Sequence, residues 1–382
     1  MPTPIYLDYN ATTPLDPTVV EEMLPFLTKA FGNASSIHSF GRDARAALDE
    51  SRDRMARLLK VKPVEIIFTG SGTESDNLAL FGLARENKSK GKHLLTTQIE
   101  HHAVLHAFEY LEKHEEFDVT YLPVNALGRV EVEEFTKALK KDTILASVMS
   151  ANNETGTIQP IAELAAIARK NGVLFHTDAI QSFGKVPVFP HDWNVDALSL
   201  SAHKFYGPKG SGALFLRHGL SLQPHIVGGA HEGDRRAGTE NVAGIAGMTV
   251  AAERALGLHD DVLMRSLTEK LWAGLSQIRG IIRNGDPVNR ISNTLNVSFN
   301  GIDGEELLMN ADLEGLAVSS GSACMVGSVQ ASHVLLAMGV DAAVAKSTVR
   351  FSIGKFTCSE EIDRTIEVFN RICNRLRPTR AA

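Results

Sequence analysis

The chain has 382 residues, 43% of them hydrophobic and 22% charged, with a formal net charge of −6 and a pI near 6.2. That length exceeds the roughly 250–300 residues at which a single core stops growing, so two domains are expected, and the composition is that of an ordered globular protein. The mildly acidic balance offers no basis for direct nucleic-acid binding, and the cysteines, Cys324, Cys358 and Cys373, form no CxxC pair and no disulfide framework.

The opening residues MPTPIYLDYNATTP lack a basic stretch followed by an apolar core. No later window holds some 18 uninterrupted apolar residues, so a cytoplasmic protein without a membrane partner is expected. Asp16 and Pro17 are a cap and first position for a helix to about Lys29. After the loop FGNASSIHSFG, residues 42–60 read as a second helix, with Ala44, Ala47, Leu48, Met55, Leu58 and Leu59 at three and four spacing. Short apolar runs follow at 65–68, 93–97, 119–122, 143–147, 173–177, 197–201 and 212–216. Amphipathic windows at 73–88, 103–114, 131–140 and 161–170 separate most of them. This alternation predicts an α/β fold with a mainly parallel seven-stranded sheet covered on both faces, the last two strands antiparallel. A helical window at 241–278, with a break near 257–260, joins this part to a smaller α/β domain. The smaller part is expected to hold strands near 294–299, at LAVSS and at TVRFS, with helices from Glu305, near 331–338 and from Ser359. The expected division is a large domain at 15–258 and a small one formed by 1–14 and 259–382.

The stretch ALSLSAHKFYGPKGSG brings Lys204 to a strand end just before a turn rich in glycine and proline. A partly desolvated lysine there is a Schiff-base candidate, the ordinary alternative being a solvated surface lysine. The first strand of the sheet runs into TGSGTESDNLAL, a small-residue loop opening a helix, which is either a phosphate site or a plain capped turn. It matches neither GxGxxG nor GxxxxGK[ST], so a nucleotide is not the expected ligand. LFHTDAIQS places Asp178 at the carboxyl end of a parallel strand, where it either caps a helix or holds a pyridinium nitrogen protonated. ANNETG delivers Asn152 and Asn153 to the same edge as donors to a ring hydroxyl, and in IEHHAV either His101 or His102 is placed to stack on a ring and move protons. Cys324, within SSGSACMVGS, has the small neighbours of an accessible thiolate, whereas Cys358 and Cys373 read as structural. Arg350 in TVRFS can grip a substrate carboxylate or make a routine ion pair.

Taken together, the ordered motifs YLDYNATTP, FGNASS, SGTESDN, EHHAV, NNETG, DAIQS, SAHKFYGPKG, RAGTEN and SSGSAC make the chain resemble the cysteine desulfurases, in the class V branch of fold-type I pyridoxal phosphate enzymes. The resemblance covers nearly the whole chain. It implies that Lys204 joins the cofactor aldehyde, Asp178 pairs with the ring nitrogen, and His101 stacks on the ring and shuttles protons. It also implies that Gln181 and Asn153 attend the ring hydroxyl, and that Gly72, Thr73, Ser201 and His203 hold the phosphate. Thr239 would reach the phosphate of a neighbouring subunit, making a homodimer. Asn33, Asn153 and Arg350 would bind the carboxylate of L-cysteine, and Cys324 would take its sulfur as a persulfide for delivery to an acceptor protein, a scaffold or a thiolation factor.

His102 stands where a lysine is frequent in that family, and Met325 and Val326 follow the cysteine where small hydroxyl residues are usual. The segment GGAHEGDRRAGTEN varies on the family pattern, and the chain stops at RLRPTRAA, which bears on the choice of acceptor. A class V aminotransferase or a selenocysteine lyase would use the same Lys204 and Asp178. A non-catalytic partner-binding subunit of this fold would use neither.

Overall fold

A computed structural model describes residues 4–258, 261–320 and 330–377. In chain order the elements are β1 (Ile5–Tyr6), α1 (Pro17–Thr28), α2 (Ser39–Leu59), β2 (Ile66–Thr69), α3 (Gly72–Asn87), β3 (His93–Thr97), α4 (His102–Glu115), β4 (Asp118–Leu122) and α5 (Val132–Ala138). They continue with β5 (Thr143–Ser147), α6 (Ile161–Lys170), β6 (Leu174–Asp178), β7 (Ala197–Ser201), β8 (Gly212–Leu216), α7 (Val242–Leu258) and α8 (Asp261–Leu275). The remainder gives β9 (Ile281–Asn284), β10 (Thr294–Phe299), α9 (Gly304–Leu313), β11 (Leu316–Ala317), α10 (His333–Ala337), α11 (Ala342–Lys346), β12 (Thr348–Ser352) and α12 (Ser359–Leu376).

The seven expected strands form one sheet in the order β2-β8-β7-β6-β5-β3-β4. β8 runs antiparallel to both its neighbours, and every other pairing is parallel. β2, β3, β5, β6 and β7 therefore all end at the same edge. These strands are almost wholly buried because helices cover both faces, which is why they read as unbroken apolar runs rather than alternating ones. One core packs α2, α6 and α7 against one face of the sheet; another packs α3 and α4 against its other face.

A separate core gathers around the antiparallel sheet β12-β10-β9. α12 lays Ile362, Thr365, Val368, Phe369, Ile372 and Cys373 against it at helical spacing. Full burial of an aliphatic or aromatic side chain of this kind stabilises by roughly 1.5–3 kcal/mol. The N-terminal segment belongs to this core through Ile5 and Leu7, since β1 pairs with β11 and Asp8 bridges to Ser352. From there residues 10–13 cross to the carboxyl edge of the large sheet, where Thr13 N–H donates to the His203 carbonyl at 2.9 Å. A small fourth cluster joins Ile99 and Met149, beyond β3 and β5, to Val334, Leu335 and Met338.

The window at 241–278 is two helices, α7 on the first core and α8 on the core around β12-β10-β9. Some expected elements are shorter or divided. LAVSS keeps only Leu316 and Ala317 in a strand, and the helix near 331–338 is α10, followed by α11. β9 was not anticipated. It is an edge strand with Ile282 exposed and Arg283 paired to Glu269, so its side chains do not alternate in polarity.

Candidate active site

The carboxyl edge of the large sheet opens on a cavity of about 360 Å³. Gly72, Thr73, His101, Asn153, Asp178, Gln181, Ser201, His203, Lys204 and Arg350 all line it, so most of the residues singled out by sequence share one space. Most arrive at or just past the carboxyl end of a strand of the large sheet or at the start of a helix, the position at which open α/β sheets take ligands, while Arg350 comes from the middle of β12 in the smaller sheet.

Lys204 follows β7 in a 3-10 turn, Ala202–Lys204. The next bend puts Tyr206 at φ 68°, a left-handed angle costly for a residue with a Cβ. It is held there by Tyr206 N–H donating to Thr13 Oγ1 at 2.8 Å and by Tyr206 Oη accepting from Lys355 N–H at 2.8 Å. Lys204 Nζ donates to the carbonyls of Asn10 and Ala11 at 2.6 and 2.7 Å. Burial, then the nearby Arg350 charge, bring Lys204 down to about 8 against the opposing pull of Asp178 and Asp8.

Asp178 is 5% exposed, and its Oδ1 accepts from Ile180 N–H at 2.8 Å. Burial raises its carboxyl above the ordinary range. Asp76, on α3, is wholly buried with neither carboxylate oxygen hydrogen-bonded among the described residues. His176 Nε2 stands 3.6 Å from Asp76 Oδ1, within ion-pair reach. Yet burial pushes His176 down to about 3 and Asp76 up, and the imidazole bonds instead to Ser147 and Ser199 at 2.8 and 2.9 Å. We therefore read the two as a neutral pair.

His101 caps α4, its Nδ1 accepting from Ala103 N–H at 3.1 Å. That bond fixes the neutral tautomer with its proton on Nε2. The ring is open to the cavity, but the packed protein around it, followed by the charge of Lys204, holds it down to about 4. The α3 start is capped by Ser71, and Gly72 N–H donates to Ser201 Oγ at 3.3 Å. A Cβ on Gly72 would come within 2.3 Å of Ile180 Cδ1 and 3.0 Å of Ser201 Cβ, so glycine keeps this cradle open. Arg350 donates to Asp8 Oδ1 at 2.7 Å and to the Asn153 carbonyl at 3.0 Å, while its buried Nε has no partner among the described residues. A small zwitterion with an anionic group at α3 or Arg350 and an amine or carbonyl at Lys204 suits these walls.

Other expectations fare differently. Asn152 is not a ligand donor: it is fully buried, donates to the Ile99 carbonyl at 3.0 Å and accepts the Glu154 and Thr155 N–H groups, building its own turn. Asn33 and Thr239 are exposed and lie outside this cavity. His102 packs with His106 and His333, ring centroids 4.9 Å apart in each case. Cys373 is buried, its thiol pushed up to about 11, whereas Cys358 is exposed at the start of α12 rather than sheltered. Cys324 lies outside the described residues.

Four contributors were not singled out by sequence. Asn10 and Ala11 reach the cavity in the N-terminal crossing. Glu154, raised to about 7 by burial, bonds to the Ser332 cap of α10. Lys185 donates to Asn10 Oδ1 and Gln181 Oε1. The signals that could have found two of them are the asparagine in YLDYNATTP and the four-residue step from Gln181 to Lys185.

Residues 5–365 match the model of the family described as aminotransferase class-V. A curated relative, cysteine desulfurase IscS of Dictyoglomus turgidum, is 48% identical over 98% of this chain and 95% of its own length. A solved NifS-like protein superposes with a TM-score of 0.92 at 38% identity, covering 98% of this chain and all of its own. A structure of SspA in complex with cysteine gives 0.82 at 37% identity, over 92% of this chain and 99% of its own. With a family model spanning nearly its full length and a relative of this identity, the chain belongs to the class-V aminotransferase family.

Proposed function

We infer that the chain is a pyridoxal phosphate-dependent cysteine desulfurase, converting L-cysteine to L-alanine and passing its sulfur to Cys324. The observation that carries the cofactor reading is the meeting of Lys204, Asp178 and the α3 start in one cavity. The residues fit the group. Gly72 leaves room for a phosphate at a helix N-terminus, with Thr73, Ser201 and His203 beside it, and buried Asp178 gains the cation it lacks when a protonated ring nitrogen faces it. When bound, the cofactor supplies an aldehyde that captures amines and a ring that draws electrons away from the substrate α-carbon.

Lys204 is the residue that joins the aldehyde, and its lowered proton affinity leaves a useful neutral fraction near neutral pH. Released by the incoming amino acid, its Nζ takes the α-proton. His101 lines the cavity with its Nε2 hydrogen free of the cap bond, and would stack on a ring held there. Arg350 and Asn153 would hold the substrate carboxylate and Gln181 and Asn153 would attend the ring hydroxyl, whereas Asn33, outside the cavity, would contribute only by way of a neighbouring subunit. The Cys324 thiolate would attack the substrate sulfur: an S–S bond forms, the carbon–sulfur bond breaks with its electron pair going to the β-carbon, and protonation there, with Lys204 returning the α-proton, gives alanine.

The persulfide then passes to an acceptor protein, a scaffold or a thiolation factor. The working form is a homodimer in the cytoplasm, with Thr239 reaching the neighbouring phosphate. Supporting the dimer, large apolar side chains crowd one exposed stretch at Leu24, Leu27, Phe31, Ile37 and Phe40. Among the described residues no helix is long and apolar enough to cross a membrane.

The direct test supplies purified protein, cofactor and a reductant with L-cysteine. Alanine and sulfide should appear in equal amounts, and Cys324→Ala should keep cofactor absorbance while losing sulfide release. Amino transfer to a keto acid without sulfide would make the chain an aminotransferase, and full turnover by Cys324→Ala would remove that residue's role.

A further inference from the structure

Behind Lys204 stands a second lysine that none of the assigned roles uses. Lys185 Nζ donates to Gln181 Oε1 at 2.9 Å and to Asn10 Oδ1 at 3.2 Å, and both amides are buried, at 4% and 1% exposure. No carboxylate pairs with Lys185 among the described residues. Lys185 and Lys204 both line a second cavity of about 160 Å³ at the junction of the two cores.

We propose that Lys185 is a positioning residue of the reaction: as a group that only donates, it sets the rotation of the Gln181 and Asn10 amides and so fixes which Gln181 atom meets the cofactor. This rests on the pyridoxal phosphate reading above. An ammonium has three hydrogens to give and no lone pair to accept with, so each amide must turn its oxygen toward it. Gln181 Nε2 is then left for the Asn10 carbonyl, at 2.9 Å, the same oxygen that accepts from Lys204 Nζ at 2.6 Å. Asn10 Nδ2 in turn serves the Asn153 carbonyl at 3.2 Å and Thr294 Oγ1 at 2.8 Å, and the Asn153 carbonyl also takes Arg350. The ammonium and the two main-chain carbonyls can each play only one part, and Asn293 Nδ2 adds a second donor to Asn10 Oδ1 at 3.2 Å, so the arrangement has one orientation, which Lys185 enforces from the oxygen side. Gln181 thereby presents an N–H, not a carbonyl, to an anionic ring oxygen beside Lys204.

Without the Lys185 ammonium the Gln181 oxygen loses its donor-only partner and the Asn10 oxygen keeps only Asn293 Nδ2, so the amides are held mainly from their nitrogen sides, by the Asn10 and Asn153 carbonyls. Burial, then the charges of Lys204 and Arg350, bring Lys185 down to about 7. Asp178 and Asp8 lie near Lys204 in the active-site region. Asp16, Arg254 and Lys355, with the phenols of Tyr9 and Tyr206, line the second cavity. Asp16 is already engaged by Lys355 and Arg254, so it offers Lys185 no counterion.

The test compares wild type, Lys185→Met and Lys185→Arg, each loaded with pyridoxal phosphate and free of cysteine, by titrating the visible absorbance band with pH. Removing a cation and an enforced N–H donor makes proton loss from the bound cofactor harder, so Lys185→Met should move the midpoint upward by about one pH unit. Lys185→Arg, also a donor-only cation, should restore the wild-type midpoint. Should Lys185→Met fail to fold, Lys185→Gln, whose amide both donates and accepts, should show the same upward shift. An unmoved midpoint in the methionine or glutamine variant overturns the role of Lys185. So does an arginine variant that shifts like methionine while melting at the wild-type temperature. A wild-type protein that takes up no cofactor and shows no band overturns the cofactor reading as well, which separates the two failures.

Discussion

The two walls of the cavity are opposite in sign and alike in predicament. On one side Asp178 lines the cavity with Asp76 and Glu100 buried behind it, carboxyls whose proton affinity rises, first from burial and then, for Asp76 and Glu100, from Asp178; Glu100 is carried up to about 8. On the other side Lys204, with Lys185 behind it, is pushed down by burial and by Arg350, and Lys185 by burial, Lys204 and Arg350. Neither wall neutralises the other: Arg350 reaches Asp8, and Lys204 is hydrogen-bonded to main-chain carbonyls. Each wall is short of a counterion. A ligand with a protonated ring nitrogen at one end and anionic oxygens at the other supplies both, so its binding restores charge to groups that burial drives neutral.

Mutation should separate the walls. Lys204→Ala, which removes the nucleophile and the proton acceptor together, should lower turnover of L-cysteine by roughly 10²–10⁴-fold while the protein stays folded, measured as alanine formed against the circular dichroism spectrum. Asp178→Asn keeps the shape but not the charge. It should cost about 10²–10³-fold in turnover, and a loss below tenfold would mean that wall does not serve the ring nitrogen. Glu100→Gln addresses stability. Its carboxyl, which accepts from Met149 N–H and Thr97 Oγ1, binds its proton more tightly folded than unfolded. It therefore stabilises fully below the ordinary carboxyl range, and that contribution is lost as pH rises toward about 8. Thermal melts of Glu100→Gln should accordingly show a shallower fall in Tm between pH 5 and 8 than wild type, whereas parallel curves would contradict the raised value.

The carboxylate wall was the more legible in sequence, because Asp178 ends a strand and a parallel sheet gathers strand ends at one edge. The same logic found Lys204, His101, Asn153 and the Gly72 turn. It overreached at Asn152, where adjacency to Asn153 said nothing about which amide the turn itself would consume. The cation wall was read only in part. Lys185 and Asn10 belong to segments far apart in sequence and meet only when the N-terminal strand, docked on the core around β12-β10-β9, crosses to the large sheet. No periodicity encodes that crossing. Likewise β9, paired on an edge with one side wet, lacks the apolar run that marked the central strands.

Of the two lysines of lowered proton affinity, Lys204 lines the cavity and Lys185 stands behind it, and only Lys204 is expected to take the cofactor. The protein loaded with pyridoxal phosphate, reduced with borohydride and digested, should carry the phosphopyridoxyl mass on the peptide containing Lys204 and none on the peptide containing Lys185. The label on Lys185, or on neither lysine, would contradict it.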